Sequence, residues 1–173
     1  MNVKNKLLNF FKETLGALPR SGPVWILLTL SFVSTAEGLR TAAYLDPVGI
    51  PTICFGETSG VKLGQTKTRP ECERLLQARL MEFDKALTRC LPALPTYPDS
   101  TRAALVSWTY NVGPRAACGS TLVRKAKSGD LAGACNELPK WNKATKFGVR
   151  VTLPGLTRRR AEERVMCLKG ITK

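Results

Sequence analysis

The sequence contains no histidine. That absence excludes Ser-His-Asp and Cys-His catalysis and zinc centres built on imidazole. Any acid–base chemistry falls to carboxylates. Acids themselves are scarce, 13 Asp and Glu against 27 Lys and Arg. Such an excess points to an anionic partner: nucleic acid, anionic lipid or an acidic polymer such as cell wall. No CxxC pair occurs, which argues against zinc-ribbon and dithiol redox motifs. There are no internal repeats and no low-complexity tract. Long apolar runs are missing too. The uncharged run "SGPVWILLTLSFVSTA", residues 21–36, carries five Ser or Thr. As a helix it reaches only ~24 Å, short of a bilayer's hydrocarbon core.

What is present defines a globular chain. Its 173 residues suit one domain, with room for two lobes around a core. Cys54, Cys72, Cys90, Cys118, Cys135 and Cys167 are even in number and scattered. They read as three disulfides formed outside the cytoplasm. The spacing alone leaves about fifteen pairings open.

Residues 1–20 are basic, and "LLNFF" and "LGAL" predict a short amphipathic helix. Three readings compete for 21–36: a signal peptide, a weak membrane anchor or a buried helix. Residues 41–65, rich in Gly, Thr and β-branched side chains, predict two or three short strands with turns at "DPVG" and "TSG". Thr68, Pro70 and Glu71 form a helix start resembling a capping box. Apolar positions 75, 76, 80, 83 and 87 carry that helix to about Cys90. Three prolines in "LPALPTYPDS" end it. Helical patterns follow at 99–112, 119–128, 130–142 and 156–168, with Asp130 and Thr157 as candidate caps. The expectation is an α+β, mainly helical fold, with a small β-sheet lobe, a larger helical lobe and a cleft suited to a polymer.

Glu37 is followed by eight residues and Asp46, then five residues and Thr52, with Glu57 beyond. Glycosidic cleavage needs a proton donor to the leaving oxygen and a second carboxylate to activate water or support the developing cation. Glu37 ends the apolar run, a setting that favours the protonated form a donor needs. Asp46, in a turn before a strand, suits an ionised partner, and Thr52 offers a hydroxyl to the same water. Asp-Pro also begins turns readily, so Asp46 has a structural reading as well.

The wider context is more specific. "EGLRTAAYLDPVGIPTICFGET" resembles the catalytic segment of phage-type lysozymes, the muramidases of glycoside hydrolase family 24. "ALVSWTYNVG", "STLVRKAKSGD" and "GLTRRRAEERVMC" are similar to three further segments of that family, in the same order. The resemblance spans about residues 36–168. It implies a two-lobed lysozyme-like fold acting on peptidoglycan glycan strands without cofactor or metal. It also implies Glu37 as general acid, Asp46 as second carboxylate and Thr52 as the residue that positions water. Arg159 then lies near Glu37, where it would oppose the effect of burial on the proton and leave the balance open, and Asn111 lines the cleft. Where many members carry a His, this chain has Glu57, which implies a lost His–Asp pair. The family's fold order implies the pairs Cys54–Cys72, Cys90–Cys118 and Cys135–Cys167.

Residues 1–36 resemble the tether of signal-anchor-release endolysins, leaving 37–173 as the catalytic domain. Such a monomer would sit inactive on the host inner membrane and act in the periplasm once released. The alternative is a catalytically inactive, basic lysozyme-like protein that binds the envelope or nucleic acid. Arg158, Arg159 and Arg160 would spread around more than half of a helix instead of forming one basic face. Trp108 is expected in the core, and Trp141 is left open between core and sugar platform.

Overall fold

The computed structural model describes residues 22–46, 49–146 and 148–171. The amphipathic helix expected within residues 1–20 lies outside them. The apolar run forms α1, Val24–Glu37. Trp25, Ile26, Thr29, Leu30 and Val33 recur every three to four residues and are buried. The hydroxyls of this helix turn back on its own backbone. Thr29 donates to the Trp25 carbonyl at 2.7 Å, and Ser34 and Thr35 donate to that of Ser31.

β1 (Arg40–Leu45) and β2 (Pro51–Cys54) pair antiparallel, Tyr44 opposite Thr52 and Leu45 opposite Pro51. α2 (Arg69–Cys90) links this small lobe to the helical one. At its start, Glu71 accepts from the backbone N–H and the hydroxyl of Thr68, at 2.6 and 2.7 Å. After a 3-10 turn come α3 (Asp99–Val112), α4 (Pro114–Cys118), α5 (Thr121–Lys127) and α6 (Leu131–Glu137). A second hairpin, β3 (Lys143–Lys146) and β4 (Val149–Thr152), precedes α7 (Pro154–Lys169).

α3 is the central helix, packed between α1 and α7. Ala103, Ala104, Leu105, Val106 and Trp108 are buried on it, and small residues allow neighbours to approach closely. Trp141 meets Trp108 edge to face at 5.1 Å, which places it against the core. Arg102 ties three helices together. Its guanidinium binds both oxygens of Asp84 on α2, at 2.8 and 2.7 Å, and lies 4.2 Å from the ring of Trp25 on α1.

The cysteines pair as Cys54–Cys72, Cys90–Cys118 and Cys135–Cys167. The three loops they close follow one another along the chain without overlap. Two expectations need correction. Asp130 caps α6 by accepting from Gly133 N–H at 2.7 Å, but Thr157 caps nothing. α7 begins earlier, after Leu153, because Pro154 suits a first helical turn, and the Thr157 hydroxyl donates back to Leu153. The β3–β4 hairpin also interrupts what sequence patterning leaves unassigned.

Candidate active site

Glu37 is the last residue of α1. Gly38 at φ 73° then turns the chain, a conformation that a side chain disfavours. The Glu37 side chain is 26% exposed, and its Oε1 accepts from Arg159 Nη1 at 2.5 Å. α1 and α7 thus meet at this carboxylate, joining residues 122 positions apart.

The β lobe reaches the same point. After β2 the chain folds tightly, Ile53 and Glu57 exchanging two backbone hydrogen bonds at 2.9 Å. Cys54 adopts φ 60° in this turn, unusual for a residue with a side chain. Gly56 has φ 87°, and a β-carbon there would stand 4.0 Å from both Glu37 Oε2 and the Tyr110 hydroxyl. Tyr110, on α3, donates to the Phe55 carbonyl at 2.9 Å. Burial first, then the nearby Glu37 and Glu57 carboxylates, pushes its phenol up to about 12. Tyr110 thereby fastens the β lobe to the helical lobe beside Glu37.

Asp46 follows β1 immediately. Its backbone N–H donates to Ile50, and its Oδ1 accepts from Ile50 N–H at 2.9 Å. The carboxylate therefore shapes the hairpin end as well as lying beside it. Thr52, 3% exposed, sits on the opposing strand and donates to the Ile50 carbonyl at 3.0 Å. Asn111 is exposed near the end of α3, one residue past Tyr110.

Glu57 is well engaged. Its Oε1 accepts from the Thr58 and Ser59 N–H groups, and its Oε2 pairs with Arg79 Nε at 2.9 Å. Glu57, where the resemblance implies a lost His–Asp pair, is held instead by a guanidinium. Glu57 and Arg79 also line a recess of about 340 Å³ between the β lobe and α2, with Lys67 and Gln65. Glu37, Asp46 and Thr52 do not line it.

Behind Glu37 is a buried charge cluster. Glu163, fully buried, accepts from Ser107 Oγ at 2.8 Å, Arg160 Nη2 at 2.8 Å and Arg159 Nε at 3.3 Å. Burial pushes the Glu163 carboxyl up, against the pull of the two arginines. Burial also lowers the Arg160 guanidinium, to about 10. Arg159 and Arg160 are inside the protein and Arg158 outside, so the triple arginine offers no continuous basic face.

Sequence reasoning missed Ser107, Tyr110, Arg79 and Glu163 as neighbours of the site. The Arg159-x3-Glu163 spacing on a helix was a usable signal, because residues four apart share a face.

Glu37, at the end of α1, is thus held by Arg159 of α7 and approached by the turn after β2. The phage lysozyme family model matches residues 34–163. The SAR-endolysin of Bacteriophage PS119 is 38% identical over 135 residues, covering 78% of this chain and 77% of that protein. The endolysin from Escherichia coli O157:H7 phage FAHEc1 superposes with a TM-score of 0.75 at 32% identity, covering 84% of this chain and 94% of that one. The muramidase domain of SpmX from Asticaccaulis excentricus gives 0.73 at 27% identity, over 81% and 94%. The chain belongs to the phage lysozyme family. It is a peptidoglycan-lysing glycoside hydrolase, an endolysin of the muramidase kind.

Proposed function

We propose that Glu37 is the proton donor for cleavage of the β-1,4 bond between N-acetylmuramic acid and N-acetylglucosamine. The Glu37 proton passes to the glycosidic oxygen as the bond to the muramic C1 breaks. Water attacks that carbon from the other face and gives its proton to Asp46, leaving two free glycan ends and an inverted anomeric centre. Thr52 steadies the water, and Asn111 contacts the glycan along the cleft. Arg159 fixes the direction in which the Glu37 carboxyl points. The observation that carries this reading is the convergence of α1, α3, α7 and the β2 turn on Glu37. Mass spectrometry of peptidoglycan digests from wild type and Glu37→Gln tests it. Reducing-end products from wild type alone support hydrolysis. Anhydro ends from wild type point to a transglycosylase, and unchanged digestion by the variant removes Glu37 from the role.

The same proposal extends to the N-terminus. Residues 1–36 tether the chain to the inner membrane and 37–173 form the catalytic domain. Residues 21–36 are the part that enters the bilayer, and release delivers an active, monomeric enzyme to the periplasm. The SAR-endolysin name of the PS119 relative supports this. So do the hydroxyls of Thr29, Ser34 and Thr35, which bond to their own helix and need no water in either lipid or protein. Among the described residues no helix is long and apolar enough to cross a membrane, so a tether here is marginal and can let go. Glu37 ends the same helix, and a helix held in lipid cannot deliver it to the cleft. Replacing Thr29 and Ser31 with Leu tests the tether. Firmer membrane fractionation and delayed lysis are expected, with normal activity once solubilised.

A further inference from the structure

We propose that Glu163 is a positioning residue for the reaction, holding the Arg159 guanidinium against Glu37 and sharing its charge. The proposal rests on Glu37 as proton donor. Glu163 sits one turn beyond Arg159 on α7, on the same helical face. Its Oε1 receives Arg159 Nε at 3.3 Å, while Arg159 Nη1 reaches Glu37 at 2.5 Å. The guanidinium is thus gripped at both ends by carboxylates of opposite exposure. Glu163 is 0% exposed and the Glu37 side chain 26%.

The grip is itself anchored. Ser107 on α3 donates to Glu163 Oε1 at 2.8 Å, and Arg160 spans both Glu163 oxygens at 2.8 Å. A buried carboxylate of this kind is a poor device for stability alone, since well-packed apolar residues often serve as well. It is a good device for fixing a planar guanidinium at one angle.

Charge sharing has a chemical consequence. The cluster holds two arginines, Arg159 and Arg160, and two glutamates, Glu37 and Glu163, and is neutral when all are ionised. With Glu163 charged, Arg159 divides its attraction between two carboxylates. If Glu163 lost its charge, the whole attraction would fall on Glu37 and favour its ionised form, which has no proton to give. Among the described residues, Tyr110 on α3 feels Glu37 and Arg159 of this cluster and, beyond it, Glu57 after β2 and Arg79 on α2. Tyr110, Glu57 and Arg79 make no hydrogen bond or ion pair with Glu163.

The test is the pH dependence of kcat and KM for purified, oxidised full-length protein on isolated peptidoglycan. Glu163→Gln keeps the shape and removes the charge. The alkaline limb of the kcat profile is expected to move to lower pH by about half to one pH unit, with KM unchanged. Glu163→Asp should bring the limb back toward wild type. A folded Glu163→Gln with lowered thermal stability but the wild-type limb overturns the proposal. If that variant does not fold, Ser107→Ala decides. It weakens the seat of Glu163, so the limb should move the same way, and an unmoved limb is equally fatal. Glu37→Gln separates the two readings. Full activity there defeats the proton-donor role itself, whereas an inactive Glu37→Gln beside an unmoved limb defeats only the role of Glu163.

Discussion

Reduction of the three disulfides should unfold this protein near body temperature. The bonds close loops of 18, 28 and 32 residues. In the chain-entropy treatment, each restricts the unfolded state by about 3–4 kcal/mol. Because the loops neither nest nor overlap, their effects are close to independent and together come to ~10 kcal/mol. That equals the whole net stability of a typical domain, about 5–15 kcal/mol. For a chain of this size the loss corresponds to a fall in Tm of about 20–40 °C. The assay is a calorimetric scan of oxidised protein beside protein fully reduced and alkylated, with thiol count checked by mass. Peptidoglycan clearing would be followed in parallel. The reduced chain should show no cooperative transition above about 40 °C and no clearing. A reduced protein whose Tm falls by less than about 10 °C would refute the reasoning, since helix packing alone would then carry the fold. The consequence in the cell follows directly. A chain whose disulfides had not yet formed would therefore be expected to lack clearing activity.

Other substitutions probe the site and its frame. Glu37→Gln should lower the rate at least about a hundredfold, with unchanged circular dichroism. Asp46→Asn should cripple turnover and also loosen the hairpin, because Ile50 N–H loses a charged acceptor. Thr52→Val should do less harm, and steady-state kinetics rank the three. Trp25→Ala removes a buried ring and its contact with Arg102, so stability should drop by about 3–5 kcal/mol in urea titration. Tyr110 gives a pH prediction. Its folded phenol is raised above the unfolded value, so its stabilisation is full below pH ~10 and is lost as pH climbs toward about 12. Alkaline unfolding followed by tyrosinate absorbance should show this, and Tyr110→Phe should remove that component.

Much of the architecture was legible in local patterns. The Thr68–Glu71 start, the prolines after Cys90 and the Asp130 cap mark helix ends through short-range hydrogen bonds and fixed φ angles, and these survive in any context. The spacing of Glu37, Asp46 and Thr52 was also readable, because one helix end and one hairpin carry all three. The β3–β4 hairpin was not legible. Its strands are four residues each and largely exposed, so they leave little hydrophobic alternation.

The sequence by itself determined the chemistry available. Without histidine, proton transfer belongs to carboxylates, and the amount and sign of charge favour an anionic partner. Beyond the approach of Arg159 to Glu37 that the resemblance implies, tertiary structure alone decided which groups meet. Ser107 and Glu163 are 56 positions apart, a separation at which no helical or strand period carries information. The same holds for the apolar run 21–36, whose composition suits lipid and protein interior equally. Only the packing of α3 shows the protein side of that choice, because its buried alanines let α1 settle against the core, with Glu37 at its end beside Arg159.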